Sequence, residues 1–116
     1  MQRYGQVIKL RAADEEEYIR IHAAVWPAVL KTIAECGIRN YSIYLRDGFL
    51  FAYFEYHGTD LAADMRKMAA DPETQRWWKI TDAMQQPVEG AAPGQMWAPM
   101  SEVFHFDGPV VASRRG

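Results

Sequence analysis

Cysteine is nearly absent from this chain of 116 residues, because Cys36 stands alone and no internal disulfide can form. A single thiol is typical of a reducing compartment, which predicts a cytoplasmic location. The chain has no apolar run of about eighteen residues, the length that would span a membrane, and no export signal. Its formal net charge of −2 does not provide a basic surface for nucleic acid. Neither nucleic acid nor membrane is therefore an expected partner.

Motifs for metals and phosphates are also missing. The three histidines, His22, His57 and His105, show no spacing typical of zinc ligands. There is no glycine-rich phosphate loop, and no motif supports a serine or cysteine triad. The acidic groups at residues 15–17 and at Asp60 and Asp64 are typical of solvated helix faces. The sequence therefore predicts no metal and no cofactor.

Aromatic residues are plentiful: the chain has 4 Trp, 6 Tyr and 5 Phe. Such side chains suit cores, and they also suit subunit contacts and sugar-binding pockets because each combines apolar area with, for Tyr and Trp, a polar tip. The length indicates one domain. We assign it to residues 1–107 and expect residues 108–116 to form a flexible C-terminal tail.

Hydrophobic periodicity predicts the order β-α-β-β-α-β. The predicted strands are residues 4–10, 40–46, 49–56 and 101–106, and the two main helices are residues 15–36 and 58–70, with a further helical segment at 73–84. Pro27 falls inside the first helix, so we expect either a break near Trp26 or a second helix that starts at the proline. Residues 86–99 contain three Pro and two Gly and are predicted to be a loop.

The clearest local signal is Asp47-Gly48 between two β-rich runs, a sequence typical of a two-residue hairpin turn. This turn would pair Leu45 with Leu50, Ile43 with Ala52 and Tyr41 with Phe54.

The other face of that hairpin is aromatic too, because it carries Tyr44, Phe49, Phe51 and Tyr53. Helices can cover only one face of the sheet, so the second face most simply packs on another copy of the chain. The sequence therefore predicts an α+β, ferredoxin-like βαββαβ fold. In this fold a four-stranded antiparallel sheet has its helices on one face, and two copies form a dimeric α/β barrel through the open face.

One helical stretch carries the best candidate for chemistry. Tyr18 and His22 are four residues apart, so they share a helix face with the apolar Val25 and Val29. A lone histidine on such a face is more often a core residue. Here, however, Tyr41 is predicted to face it from the sheet.

Trp77 and Trp78 are adjacent in a predicted helix, so at most one of them packs well in a core. The other needs a pocket or a partner, and the doublet is therefore predicted to form a wall of this site. A pocket holding these tryptophans with His22 and the two tyrosines would be uncharged and aromatic. Such a pocket suits a neutral sugar and acid–base chemistry without a cofactor.

Four ordered blocks resemble the L-rhamnose mutarotase family over about residues 3–107. They are Tyr18-x-x-x-His22-x-x-x-Trp26-Pro27, then Asn40-Tyr41-Ser42-Ile43-Tyr44-Leu45, then Gln75-Arg76-Trp77-Trp78-Lys79, then Glu102-Val103-Phe104. The resemblance implies a cytoplasmic homodimer that interconverts the α and β anomers of L-rhamnose without metal or cofactor. It also implies that His22 is the proton donor and that Tyr18, Tyr41, Trp77 and Trp78 bind the sugar.

The resemblance leaves three questions open. The loop at residues 86–99 and the tail depart from the family pattern, and some relatives are linked to other 6-deoxy sugars, L-fucose in particular. The general base could be a tyrosine, a water molecule or His22 itself. Two other functions share the architecture or the pocket: a cofactor-free dimeric-barrel monooxygenase, which rests on fold analogy alone, and a non-catalytic sugar-binding dimer.

Overall fold

The structure is a computed structural model that describes residues 1–109, so residues 110–116 of the predicted tail lie outside the described residues. The strands and helices, in chain order, are β1 Gln2–Leu10, α1 Glu15–His22, α2 Pro27–Glu35, β2 Ile38–Arg46, β3 Phe49–Tyr56, α3 Leu61–Ala70, α4 Pro72–Met84, β4 Gln85–Gln86 and β5 Ala98–Met100. A 3₁₀ turn, Ala12–Asp14, precedes α1.

The sheet is antiparallel and has the order β2-β3-β1-β4, with β5 also paired to β1. Two short strands share the outer edge of β1: Gln86 of β4 lies opposite Lys9, and Met100 of β5 lies opposite Gly5. The fourth position in the sheet is therefore filled by two pieces of chain. The predicted α+β, ferredoxin-like fold is confirmed.

The predicted last strand at residues 101–106 is wrong. The final strand is β5, which lies inside the predicted loop. The register that pairs Gly5 with Met100 places Glu102 opposite Arg3, and these two side chains form an ion pair at 2.9 Å. Beyond that point β1 has almost no residues left to pair with. Val103 is therefore 94% exposed, although its sequence context favours a strand.

The predicted break in the first helix is confirmed, and the helical stretch consists of two helices. Pro27 is the first residue of α2, where its missing N–H costs nothing. The residue before a proline avoids helical geometry, and Trp26 accordingly has φ −58° and ψ 132°. As a result α1 ends at His22, which places the histidine in the last turn of a helix.

The hairpin is confirmed at its turn, where Asp47 and Gly48 have φ values of 52° and 78°. Leu45 pairs with Leu50 as predicted. Further along, a β-bulge interrupts the register between Arg39 and Ser42.

This bulge changes which side chains of β2 face the helices. Asn40 has φ 49°, a left-handed conformation that asparagine tolerates better than most residues. The extra residue allows both Ile38 and Tyr41 to lie on the helix-covered face, although strict alternation would place them on opposite faces. The Tyr41 ring contacts Phe54, with their centroids 5.8 Å apart.

Within residues 1–109, most of the buried apolar side chains form two clusters. One contains Ile8, Leu10, Tyr18 and Leu50, and the other contains Cys36, Ile38, Tyr56 and Met68. Each cluster combines side chains of the sheet with side chains of the helices or of the residue that follows one.

Candidate active site

A cavity of about 690 Å³ lies between the helix layer and the covered face of the sheet. Its wall includes Tyr18 from the first core cluster, and Ile38 and Met68 from the second. All five residues predicted to form the site line this cavity: Tyr18, His22, Tyr41, Trp77 and Trp78. The fold therefore brings together residues that lie up to 60 positions apart in the sequence.

His22 is held by its own helix. Its Nδ1 lies 2.7 Å from the main-chain oxygen of Tyr18, which can only accept a hydrogen bond, so Nδ1 carries the donated proton. The hydrogen bond leaves Nε2 as the nitrogen that can exchange a proton with a ligand. Burial lowers the pKa of His22 below its usual 6.5, and the hydrogen bond to Tyr18 opposes part of that shift.

Aromatic rings fix the orientation of the imidazole. The Tyr18 ring stacks on it with a centroid distance of 4.0 Å and an interplanar angle of 26°. Trp77 packs edge-on against it at 5.2 Å, and Trp26 packs edge-on against Trp77, also at 5.2 Å. Packed rings of this kind restrict rotation of the imidazole without adding charge to the cavity.

The Tyr18 hydroxyl is a neutral donor. Tyr18 is only 4% exposed, and Gln85 Nε2 donates to its hydroxyl oxygen at 3.2 Å. Because that oxygen already accepts a hydrogen bond, its own hydrogen is free for a ligand. Burial raises the pKa of Tyr18 to about 12, so the phenol keeps its proton at neutral pH.

Tyr41 reaches the cavity from the sheet. The Tyr41 hydroxyl group is surrounded by protein, and this desolvation raises the pKa of Tyr41. The residue as a whole is nevertheless 42% exposed, because other parts of its side chain and main chain face solvent. The second phenol is therefore also protonated at neutral pH. The two tyrosines can hydrogen-bond a sugar, but neither can act as a ready base.

Trp77 and Trp78 occupy different environments, as the doublet predicted. Trp77 is 6% exposed and contacts His22, whereas Trp78 is half-buried and packs beside the second core cluster. Both line the cavity. Trp78 therefore has the larger accessible surface, and Trp77 is the tryptophan that contacts His22.

Several residues that line the cavity were not predicted from the sequence. Asp82 follows the tryptophans on α4, Gln85 is the first residue of β4, and Met96 and Trp97 come from the segment between β4 and β5. Two signals could have identified them. Asp82 lies four residues after Trp78, so it shares a helix face with it. Trp97 is a large aromatic residue in a stretch rich in proline and glycine, where no strand or helix explains it.

Within residues 1–109, no group of three His, Cys, Asp or Glu side chains could hold a metal ion. Among the same residues, none of the helices is long and apolar enough to cross a membrane.

A family model described as L-rhamnose mutarotase matches residues 3–106. The chain belongs to the L-rhamnose mutarotase family. It is 33% identical to the L-rhamnose mutarotase of Lactiplantibacillus plantarum over 109 residues, which are 92% of this chain and 100% of that protein. The L-rhamnose mutarotase of Bacillus subtilis is 30% identical with the same coverage. The resemblance found in the sequence is thereby confirmed.

Solved structures show the same fold. L-rhamnose mutarotase FA22100 from Formosa agariphila superposes with a TM-score of 0.72 at 23% identity, covering 92% of this chain and 100% of that one. Tetracenomycin F2 cyclase from Streptomyces glaucescens, a type-II polyketide cyclase, superposes with a TM-score of 0.68 at 13% identity, covering 94% and 100%. At these identities the likeness concerns the fold alone.

Proposed function

We propose that this protein is a mutarotase that interconverts the α and β anomers of L-rhamnose. The observation that carries the proposal is the environment of His22, in a chain that belongs to a family of mutarotases. Its imidazole lies in an aromatic cavity with neutral hydroxyl donors and a free Nε2. That arrangement supports proton transfer to a neutral sugar and requires no cofactor.

The reaction opens and recloses the sugar ring. Protonated His22 gives its Nε2 proton to the ring oxygen O5, while a base takes the proton of the anomeric hydroxyl. The C1–O5 bond breaks, its electron pair stays on O5, and an aldehyde forms at C1. Rotation about C1–C2 presents the other face of the carbonyl to O5. Closure with the reverse proton transfers then yields the other anomer.

The cavity also provides for substrate binding. We assign to Trp77 and Trp78 the stacking surface for the C–H faces of the ring, and to Tyr18 and Tyr41 the hydrogen bonds to sugar hydroxyls. Apolar side chains of α2, including Val29 and Ile33, line the same space and can accommodate the C6 methyl group. A sugar without that methyl group would lose apolar contact area.

The protein is further proposed to work as a cytoplasmic homodimer that forms a barrel through the open face of the sheet. Tyr44, Phe49 and Phe51 are exposed on that face. Phe104 and Phe106, in the segment that follows β5, are exposed as well. Covering such aromatic surface would remove it from water, which is the dominant favourable term in association. A single buried cysteine, Cys36, is compatible with a reducing compartment.

The activity is tested by saturation-transfer NMR between the anomeric protons of L-rhamnose and, in parallel, of L-fucose. We expect faster exchange than in enzyme-free buffer for L-rhamnose, with L-fucose slower. Faster exchange for L-fucose would reassign the substrate. Saturable sugar binding without exchange would favour the binding dimer, and oxygen uptake with a quinol would favour the monooxygenase.

The dimer is tested by light scattering on Phe51→Lys, with Ile80→Lys as the matched control. Phe51 is 36% exposed on the open face and Ile80 is 39% exposed on α4, so both changes place a lysine at an equally accessible site. We expect the mass of a dimer for the wild type and for Ile80→Lys, and that of a monomer for Phe51→Lys. A dimer that survives Phe51→Lys would exclude the open face as the interface.

A further inference from the structure

We propose that Asp82 is the general base that accepts the proton of the anomeric hydroxyl group. This inference rests on the proposed mutarotase function and completes its acid–base pair. Asp82 lies on α4 and lines the same cavity as His22, Tyr18 and the two tryptophans.

The composition of the cavity wall favours Asp82 as the general base over every other lining residue. Among the described residues that line it, the titratable groups are Tyr18 and His22 from α1, Tyr41 from β2 and Asp82 from α4. Both phenols hold their protons at neutral pH, because burial raises the pKa of each. Once His22 serves as the acid, Asp82 remains as the one ionised group on the wall that can take a proton.

The position of Asp82 relative to the tryptophans fits this role. It follows Trp78 by four residues and therefore lies on the same helix face, one turn further along. Trp77 contacts His22, and Asp82 lies five residues beyond it, about 7.5 Å further along the helix axis. A sugar stacked on the tryptophans would thus have His22 near one end and Asp82 near the other.

The environment of Asp82 suits a base. Burial against neighbouring protein raises the pKa of Asp82 above its usual 3.8, which strengthens it as a proton acceptor, and no charged neighbour contributes to the shift. The side chain is nevertheless exposed, so it stays ionised at neutral pH and retains rotational freedom. That freedom lets the carboxylate follow the anomeric oxygen from one face of C1 to the other.

The proton and electron balance closes over one cycle. In ring opening, an Asp82 carboxylate oxygen takes the proton from O1, the C1=O bond forms, the C1–O5 bond breaks and O5 takes the proton from His22 Nε2. In reclosure, O5 returns its proton to His22, and the carbonyl oxygen regains a proton from Asp82. Both side chains end the cycle in their starting states.

The test compares Asp82→Asn with Glu73→Gln in the NMR exchange assay on L-rhamnose. Glu73 lies at the other end of α4, outside the cavity wall, and pairs with Arg76 on the surface. Since a positioned base supplies about 10²–10⁴-fold, we expect kcat to fall by at least about 100-fold in Asp82→Asn, with KM little changed. Glu73→Gln should keep the wild-type kcat.

Two further readouts separate a base from a structural residue. In the wild type, kcat/KM should rise with pH through the Asp82 pKa, which lies above 3.8, and fall through the His22 pKa, which lies below 6.5. The low-pH limb should disappear in Asp82→Asn. Formate, a carboxylate small enough to occupy the vacated space, should restore part of the exchange in Asp82→Ala.

Each contrary outcome has a distinct meaning. Unchanged kcat in Asp82→Asn, a rise in KM alone, or a low-pH limb that persists would each overturn the role of Asp82 as base. Absence of rescue by formate in a folded Asp82→Ala variant would do the same. If the wild type itself does not accelerate exchange on either sugar, the proposed mutarotase function fails instead.

Discussion

Replacing Tyr18 with phenylalanine removes one oxygen atom that serves two purposes. The Tyr18 hydroxyl accepts a hydrogen bond from Gln85 Nε2 at 3.2 Å, and its own hydrogen is free to donate into the cavity. The phenylalanine ring can still stack on His22, where the tyrosine ring now lies at 4.0 Å. The variant therefore isolates the hydroxyl from the packing.

The cost to stability follows from the burial of Gln85, which is 4% exposed. Leaving a buried donor without its acceptor costs about 1–3 kcal/mol. For a domain of this size, 1 kcal/mol corresponds to about 4 °C in Tm, so the melting temperature should fall by about 4–12 °C. Losing a donor to the sugar should also raise KM by about 2–10-fold, the equivalent of one ordinary hydrogen bond.

Tyr4→Phe is the matched control for this experiment. Its hydroxyl donates to Gln2 at the exposed edge of the fold, and its ring stacks on Phe54 at 5.2 Å. Thermal unfolding and NMR exchange kinetics on both variants measure the two effects. Equal Tm values for Tyr18→Phe and Tyr4→Phe, with KM unchanged in both, would refute the assigned role of the Tyr18 hydroxyl.

Three further predictions concern the helix break, the histidine and the loop. Pro27→Ala should lower the free energy of unfolding in urea by about 0.4–1 kcal/mol, because Pro27 suits the first turn of α2 and restricts the unfolded chain; equal stability would show that it has no such effect. The pKa of His22 is lowered by burial, so its contribution to stability is full above pH 6.5 and is lost as the pH falls through its folded-state pKa. Between pH 7 and pH 5, the free energy of unfolding measured in urea should therefore fall less for His22→Gln than for the wild type. Equal falls in the two proteins would contradict a lowered pKa for His22. Trp97→Ala should raise KM for L-rhamnose and change its kcat/KM relative to L-fucose, because Trp97 lines the cavity; an unchanged ratio would exclude the loop from sugar selection.

The parts of the fold that rest on local chemistry were predictable from the sequence. Asp47-Gly48 determines a tight turn through its own backbone preferences, and the turn then sets the pairing of Leu45 with Leu50. Pro27 similarly forces the break between α1 and α2, since no tertiary contact can supply the missing N–H.

The parts that depend on a partner segment were not predictable in the same way. Residues 101–106 have the composition of a strand, but a strand needs a neighbour, and in this register β1 has only its first residues, Gln2 to Tyr4, opposite them. The bulge at Asn40 likewise depends on how β2 meets β3, and it brings Ile38 onto the cavity face that Tyr41 already shares with Ile43. Periodicity applied to β2 alone would put Ile38 and Tyr41 on opposite faces.

The residues of the candidate site were likewise predictable from the sequence only in part. Tyr18 and His22 were identifiable because two polar residues stood on an apolar helix face, and Trp77-Trp78 because a doublet cannot be fully buried as a pair. Asp82 was overlooked because an acidic residue near the end of a helix ordinarily points to solvent. Its spacing from Trp78 indicates a shared helix face, and the three-dimensional structure shows that both residues line the cavity.

The role of His22 is tested most directly by saturation-transfer NMR of L-rhamnose with His22→Ala, using His57→Ala as the control. His57 is exposed beside Glu55, away from the cavity wall. The wild type and His57→Ala should exchange the anomers at the same enhanced rate, and His22→Ala should be slower by about 10²–10⁴-fold. Wild-type exchange rates for His22→Ala on every 6-deoxy sugar tested would contradict the account.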